Sequence, residues 1–286
     1  QALARFPWLD AGPGVASLSE LKNLIPALHA FAKKQGVFTI KIESELPADT
    51  STDAAIVALG VIKTRPIQPN YSTVLIDVRP SLDDIIKALP QKGRHAIRRA
   101  ERDGVTVKKV PASKQNCEVM FKLLSDTAKG AGFGIRSYDY YEKFWQRYEK
   151  AGLGQLFFAY FEGKIVAGAF AIVFGDKGTY KDGASIRERT AYGASHLLQW
   201  HIIEWVKQQG AAVHDLCGAP PASEIKNPAH SYYGIGLFKT SFNKTVTEYV
   251  GAYQIPVRPL RSKLWTRFLE KLIRKIYYKI HHESYY

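Results

Sequence analysis

The sequence predicts an α+β fold in which mixed β-sheets are flanked by helices. After Gly104 the hydrophobic periodicity gives the order helix, helix, strand, strand, strand, helix, strand. Before Gly104 lies a separate set of helices and strands. Apolar residues make up 46% of the 286 residues and charged residues 23%. This composition is that of a globular protein with a sizeable core.

The first half of the chain carries elements of its own. Residues 17–35 place apolar side chains at i, i+3 and i+4, which predicts a helix that ends at Gly36. Residues 37–42 alternate as a strand, and residues 71–78 form a second β-rich run. A strongly basic helix is predicted over residues 92–103.

The second half contains the clearest hairpin. Strands are predicted over residues 156–161 and 165–174, and the turn between them contains Gly163. A third strand continues through Tyr180. The remaining elements are helices over 112–129, 137–150 and 194–209 and a returning strand over 211–216.

This succession of a strand meander, a helix and a returning strand is the arrangement of GNAT acyltransferase domains. The first half, which has helices and strands of its own, is expected to be a similar domain. No Gly/Ser-rich linker separates the halves, so we expect them to pack closely. We therefore predict two GNAT-like subdomains, residues 1–111 and 112–249, with residues 250–286 returning to the first. The chain opens with Gln1 rather than Met, so we expect its start to be processed, trimmed or incomplete.

The charge of the chain narrows the candidate partners. Lys and Arg total 40 against 26 Asp and Glu, a net charge of +14. Such an excess attracts polyanions, which here means nucleic acid, nucleotide-linked substrates or an anionic membrane surface. The two cysteines, Cys117 and Cys217, stand far apart, so no disulfide framework is expected and a reducing, cytoplasmic location fits.

The C-terminal segment, residues 258–282, predicts a basic amphipathic helix. Two interpretations remain open. The helix can lie on an anionic bilayer, which would place the protein at the inner face of the plasma membrane. Alternatively, it packs on the globule and shows its basic face to solvent. Its apolar side chains are Leu260, Leu264, Phe268, Leu272, Ile276 and Ile280.

Common catalytic signatures do not occur in the sequence. It has no GxSxG, no HExxH and no P-loop, and its scattered histidines predict no metal site. GNAT enzymes bind the CoA pyrophosphate on a glycine-rich loop between a strand and a helix. The corresponding residues, 187–194, have Arg187 and a single Gly193 beside bulky Tyr192. This loop therefore argues against CoA as a cofactor.

Several motifs together resemble the FemABX family of tRNA-dependent transferases, which build peptidoglycan cross-bridges. They are the basic helix 92–101, Arg136-Ser137 with Tyr140, the hairpin 162–168, and residues 236–242, Gly-Leu-Phe-Lys-Thr-Ser-Phe. The resemblance covers most of the chain and is to the smaller, insertion-free, FemX-like members. It implies two GNAT-like subdomains with a cleft between them. Because chains of this family open with further β-rich elements, the resemblance also implies that the first subdomain's opening strands, and part of the acceptor site, precede Gln1.

The resemblance implies the reaction and its partners. An amino acid would pass from aminoacyl-tRNA to the side-chain amine of the stem peptide in a lipid-linked or UDP-linked peptidoglycan precursor. Because the ester is already activated, neither a covalent enzyme intermediate nor a cofactor is needed. The protein is expected to act as a monomer.

The resemblance also implies roles for particular residues. Lys239 would stabilise negative charge near the tRNA acceptor end, and Phe238 would stack on a terminal base. Arg136, Tyr140 and Tyr180 would hold the acceptor's phosphate and peptide. The predicted tRNA contacts on the basic helix are Arg94, Arg98, Arg99 and Arg102.

Each of these assignments has a structural alternative. Phe238 would be a core residue and Lys239 a solvated surface lysine. Arg136 would be a helix cap beside two packed tyrosines, Tyr140 and Tyr180, and the basic helix would be a solvated face. Asp215, at a strand end, is a weak candidate for a general base. For the whole chain the alternatives are a GNAT-fold N-acyltransferase that uses acyl-CoA, or a non-catalytic protein that binds tRNA or the membrane.

Overall fold

The computed structural model describes residues 8–11, 17–66, 71–186 and 191–281. The chain divides into two compact units. The first unit combines Gln1–Ser72 with Thr247–Tyr286, and the second is Thr73–Val246.

Helices and strands occur throughout the described chain. Up to residue 110 they are β1 (Trp8–Ala11), α1 (Leu18–Lys34), β2 (Thr39–Glu43), α2 (Thr50–Ala58), β3 (Ile62–Lys63), β4 (Ser72–Thr73), β5 (Leu75–Asp77), α3 (Leu82–Ala88), α4 (Gln91–Arg102) and β6 (Thr106–Val110). From residue 114 they are α5 (Lys114–Ala131), α6 (Tyr138–Lys150), β7 (Gly154–Phe161), β8 (Lys164–Phe174), β9 (Lys177–Ser185), α7 (Ala194–Gln208), β10 (Val213–Asp215), α8 (Tyr233–Lys239), β11 (Thr247–Glu248), β12 (Ala252–Pro256), α9 (Pro259–Leu264) and α10 (Glu270–His281). A 3-10 turn (Ala222–Glu224) precedes α8, and a π turn (Trp265–Leu269) joins α9 to α10.

The first unit is built on a four-stranded sheet in the order β1-β2-β12-β3. β1 runs parallel to β2, whereas β12 pairs antiparallel with both β2 and β3. The last third of the chain thus supplies a central strand to a sheet whose other strands come from the first quarter. The core beneath this sheet includes Leu21, Ile40, Ile56, Tyr253 and Ile255.

The second unit is built on a six-stranded sheet in the order β5-β10-β9-β8-β7-β6. Its pairs are antiparallel except for β9 and β10, which run parallel. One core lies between the sheet and α7, with Phe157, Ala169 and Ile202 among its fully buried residues. A second lies under α5 and α6, around Met120 and Trp145. Mixed sheets with flanking helices are the fold class that the sequence predicts.

The division between the units differs from the predicted boundary at residue 111. Residues 73–111 fold with the second unit, since β5 pairs with β10 and β6 with β7. Hydrophobic periodicity identifies a strand but does not identify the strand with which it pairs, so this placement could not be derived from the pattern.

Three short helices escaped the sequence analysis. α2 has nine residues, and α3 and α8 have seven each. Helices of two turns show little periodicity, and α8 contains two glycines, Gly234 and Gly236, which lower its helix propensity. This last omission matters, because α8 ends at Lys239.

Candidate active site

The parallel strands β9 and β10 separate at their carboxyl ends in the second unit. β10 ends at Asp215, opposite Thr179, whereas β9 continues to Ser185 beside β8. The chain leaves β10 through Cys217, a non-glycine residue with a φ of 59°. Space outside the carboxyl ends of parallel strands is a common location for ligands. Side chains held at this point are therefore candidates for function.

Asp215 holds the turn that follows β10. Its Oδ1 accepts a 2.7 Å hydrogen bond from the Cys217 backbone N–H, and its Oδ2 lies 2.8 Å from Lys177 Nζ. The Thr73 hydroxyl donates to the same carboxylate. Because both oxygens are engaged, Asp215 is better suited to positioning the turn than to accepting a proton as the general base.

Lys239 reaches the same turn from α8. Its Nζ donates to the carbonyl oxygens of Cys217 (3.0 Å) and Gly218 (2.7 Å). Gly236, one turn earlier, permits this approach, since a Cβ there would stand 2.7 Å from Pro220. An ammonium has three N–H donors, so these two bonds leave one for a substrate.

The environment of Lys239 is unlike that of a surface lysine. The residue is only 7% exposed. Burial lowers its pKa to about 8, although the charge of Asp215 acts in the opposite direction. The structural alternative of a solvated surface lysine is therefore wrong for this residue. A buried ammonium beside a strained turn is a feature that functional sites tend to retain.

The lowered pKa of Lys239 predicts a pH-dependent stability. Between about pH 8 and 10.5 the unfolded chain binds a proton at this lysine that the native protein does not bind. The free energy of unfolding should therefore rise with pH across this range, relative to a Lys239→Met variant. The difference should approach about 3 kcal/mol. Urea unfolding of both proteins at several pH values measures it, and a pH-independent difference would contradict the lowered pKa.

Phe238 packs in a small aromatic group beside Lys239. Its ring lies edge-on to His196 (4.9 Å between centroids) and to Phe242 (5.4 Å), and His196 stacks on Phe242. His196 Nε2 lies 3.1 Å from the Ser241 hydroxyl. Burial and the charge of Lys92 lower the pKa of His196 to about 4, so its ring is neutral near pH 7. Phe238 is half-buried, with part of its ring against the core.

Arg136 and Tyr140 lie together at the start of α6. The guanidinium of Arg136 lies over the Tyr140 ring, 4.9 Å from its centroid. Tyr140 stacks on Phe144 and Phe144 on Tyr148, with centroid distances of 6.1 and 4.4 Å. Spacing of four residues brings the three rings into one row on the helix. Lys181 places its ammonium 5.2 Å from the centroid of Phe144.

Tyr180 lies on β9, next to Lys181 in the chain. Burial raises its pKa, and the charges of Asp182 and Cys217 raise it further. Its hydroxyl oxygen occupies the place of a side chain on Gly183, where a Cβ would be 1.7 Å away. Asp182 is buried and accepts a 2.9 Å hydrogen bond from Trp145 Nε1.

The four arginines of the basic helix α4 have different contacts. Arg94 donates to the carbonyl oxygens of Lys87 and Leu89, at the end of α3. Arg99 lies over the Tyr192 ring at 4.5 Å and pairs with Asp103, and Arg102 lies 3.8 Å from the same carboxylate. Arg98 is exposed. Helical spacing alone could not show that Arg94 serves as a cap for the preceding helix.

The loop considered for CoA falls largely outside the described residues, which omit 187–190. Gly193 within it has a φ of 77°, and a Cβ there would stand 2.2 Å from the Ala96 carbonyl oxygen. This glycine therefore allows α7 to begin against α4. Among the described residues no group of three His, Cys, Asp or Glu side chains could hold a metal ion. No helix in the same part of the chain is long and apolar enough to cross a membrane.

Sequence reasoning missed several side chains of the site. Three of them surround the turn after β10, two follow Tyr180 in β9, and two support Phe238. The four-residue spacing of Tyr140, Phe144 and Tyr148 could have predicted their row of stacked rings on α6. The missed residues are Thr73, Lys177, Cys217, Lys181, Asp182, His196 and Ser241.

Comparison with known proteins gives the same fold. Residues 91–226 match the family described as acetyltransferase (GNAT) domain. A crystal structure of FemX superposes with a TM-score of 0.76 at 18% identity and covers 92% of this chain and 84% of that one. The C-terminal domain of a putative lysylphosphatidylglycerol synthetase from Agrobacterium fabrum gives a TM-score of 0.54 at 15% identity, covering 91% and 83%.

A curated relative agrees with the structural neighbours. The lipid II:glycine glycyltransferase of Staphylococcus aureus is 20% identical, in an alignment covering 89% of this chain and 80% of that protein. Fold and sequence thus define the class of the protein as a transferase of GNAT fold. Within that class, the resemblance to the FemABX family predicted from the motifs is confirmed.

Proposed function

We propose that this protein transfers an amino acid from aminoacyl-tRNA to the stem-peptide amine of a peptidoglycan precursor. The observation that carries the proposal is the buried Lys239 ammonium beneath the turn at the end of β10. The name of the S. aureus relative supports a lipid-linked muropeptide as the acceptor and an aminoacyl group as the cargo.

The reaction is aminolysis of an ester. The neutral amine nitrogen attacks the carbonyl carbon, and the bond from that carbon to the ribose oxygen breaks. One amine proton passes to the departing ribose oxygen, so an amide replaces the ester and the tRNA leaves with a free hydroxyl. Negative charge develops on the carbonyl oxygen in the transition state. A fixed cation in a water-poor site stabilises such charge strongly. The third N–H of Lys239 is the donor that we assign to this role.

The nearby aromatic and cationic side chains fit the two substrates. The half-buried Phe238 ring is held by His196 and Phe242, which pre-organises it for stacking on a terminal base of tRNA. Arg136, Tyr140 and Tyr180 would hold the acceptor's phosphate and peptide. Arg98, Arg99 and Arg102 would contact the tRNA backbone, and Arg94 would add charge from its capping position.

The cellular setting follows from the acceptor. A lipid-linked precursor presents its peptide at a membrane surface, so we propose peripheral association with the inner face of the plasma membrane. The protein would work there as a cytoplasmic monomer.

A transfer assay tests the proposal. Full-length protein is incubated with tRNA carrying a labelled amino acid and either lipid-linked or UDP-linked muropeptide, and the product is identified by mass spectrometry. We expect the muropeptide to gain one or more amino-acid residues. Transfer from acetyl-CoA, with none from charged tRNA, would instead establish the acyl-CoA-dependent N-acyltransferase.

The acceptor role of Arg136 predicts a specific kinetic effect. An Arg136→Ala variant loses a phosphate donor and the contact with the exposed Tyr140 ring. KM for the muropeptide should therefore rise about 10- to 100-fold, with a smaller change in kcat. Arg147→Ala removes an exposed arginine from α6, is the control for loss of a positive charge, and should behave like the wild type. Equal KM values for both variants would contradict the assignment of Arg136 to the acceptor site.

A further inference from the structure

The C-terminal helix, which we define as α9, the π turn and α10 (residues 259–281), is attached to the first unit along one side only. Trp265 is buried with its ring edge-on to Phe38 at 5.7 Å, and the Ser262 hydroxyl donates to the Phe38 carbonyl oxygen at 2.8 Å. Farther along, Glu270 pairs with Lys41 at 2.6 Å, and both side chains are buried. These contacts fix which side of the helix faces away from the unit.

A row of large apolar side chains runs along another side and is exposed. Leu260 is 85% exposed, Phe268 66% and Ile280 64%. Exposed single hydrophobic residues are ordinary, but a continuous row is not. The apolar row consists of Leu260, Leu264, Phe268, Leu272, Ile276 and Ile280.

Basic side chains run beside the apolar row. The basic row consists of Lys263, Arg267, Lys271, Lys275 and Lys279, all exposed. Residues 258–281 contain eight basic residues and one acidic residue, Glu270, whose carboxylate is buried against Lys41. The exposed charge of the helix is therefore wholly positive within the described part of the chain.

A π turn in the middle of the C-terminal helix reduces the winding of these rows at one step. Residues spaced by four drift around an α-helix by about 40° per step. A π turn contains more residues per turn than an α-helix and so turns less at each residue. Its position at Trp265–Leu269, in the middle of the helix, opposes the drift between Leu264 and Phe268.

We propose that the C-terminal helix lies in the surface of an anionic bilayer, with the apolar row in the interfacial region and the basic row on the lipid phosphates. An apolar row bordered by lysine and arginine is the pattern of helices that lie in a membrane interface. Basic residues near an anionic leaflet each add to the attraction. The C-terminal helix would thus be the part of the protein that provides the membrane association proposed above. Its role in transfer rests on the proposed function.

The apolar row distinguishes a membrane from nucleic acid as the partner. Phosphate backbones are bound by clustered positive charge, and the basic row alone would provide that. Six exposed aliphatic and aromatic side chains would have no contact on an RNA backbone, whereas a bilayer interface accommodates them. The C-terminal helix is therefore better suited to bind lipid than RNA, and the experiment below distinguishes the two partners.

Vesicle flotation tests the inference with full-length protein. Vesicles of phosphatidylcholine alone are compared with vesicles that also contain phosphatidylglycerol. The apolar-row variant is Leu264→Ser, Phe268→Ser and Leu272→Ser together, and its matched control is Phe31→Ser, Val57→Ser and Phe174→Ser, three exposed apolar residues elsewhere. The basic-row variant is Lys271→Gln, Lys275→Gln and Lys279→Gln, and its charge-matched control is Arg147→Gln, Lys150→Gln and Lys164→Gln.

We expect the wild type to bind the anionic vesicles. Each row variant should lower the partition coefficient at least about 10-fold, while both controls keep it. Binding by the apolar-row variant at the wild-type level, or no binding by the wild type, would overturn the proposal. So would loss of tRNA binding in the basic-row variant with unchanged vesicle binding, because the helix would then be an RNA surface.

Transfer assays separate this inference from the proposed function. The apolar-row variant should lose activity on a lipid-linked acceptor in vesicles and retain it on the UDP-linked acceptor in solution. Equal retention on both acceptors would overturn the role of the helix. A wild type that binds vesicles but transfers to neither acceptor would contradict the proposed function and leave the membrane contact in place.

Discussion

Lys239→Met should lower kcat/KM for aminoacyl transfer about 100- to 1,000-fold, the range found when one donor to a developing oxyanion is removed. Methionine fills much of the same volume without a charge or a donor. It also leaves the carbonyl oxygens of Cys217 and Gly218, which now accept from Nζ, without that partner. The measurement is a steady-state transfer assay, with near-UV circular dichroism to establish that the variant folds.

The matched control for Lys239 is an exposed lysine five residues later. Lys244→Met removes the same charge from the surface and should leave kcat/KM within about twofold. If Lys239→Met also retains more than about a tenth of the activity, the lysine is a structural tie for the turn and the transition-state charge is stabilised elsewhere.

The pH profile provides a second readout of the role of Lys239. Its pKa of about 8 means that the ammonium is lost as pH rises through that value, while the attacking amine becomes more reactive. The wild-type profile should therefore fall on its alkaline side. A merely structural lysine would not produce this limb, and Lys239→Met should lack it.

The residues Phe238 and Lys239 show how much of the site could be predicted from the sequence. The resemblance singled out both residues, but neither residue type carries the information alone. The burial of Lys239 depends on carbonyl oxygens some twenty residues earlier in the chain. This contact requires Gly236, because a Cβ at that position would collide with Pro220 and keep α8 away from the turn. No local sequence pattern predicts that α8 and Pro220 lie so close together.

Long elements with clear periodicity were predictable for the opposite reason. The strands β7 and β8 are buried on both faces and appear in the sequence as continuous apolar runs bounded by turn residues. The helix α7 buries most of its length and appears as apolar residues at helical spacing. The partners of individual side chains could not be predicted in this way. The four arginines of α4 were visible as charge, whereas the cap formed by Arg94 depends on where α3 ends.

Gly93→Ala should destabilise the protein by about 1–3 kcal/mol, although alanine is the better helix former. A Cβ at Gly93 would stand 2.1 Å from the Ser241 carbonyl oxygen and 3.1 Å from its carbonyl carbon. Both are backbone atoms, so α4 would have to move away from the segment that follows Lys239. Urea unfolding measures the loss.

Gly234→Ala supplies the matched control, because Gly234 is also helical and a Cβ there meets no atom within 4 Å. This variant should gain about 0.5–1 kcal/mol, the ordinary benefit of alanine over glycine in a helix. A lower free energy of unfolding for Gly93→Ala and a higher one for Gly234→Ala would show that α4 packs against the Ser241 backbone through Gly93. Because Ser241 contacts His196 beside Phe238, Gly93→Ala should also lower transfer activity. Equal stability of the two variants would mean that α4 and the Ser241 backbone separate without cost, and the basic helix would then not help to position Lys239.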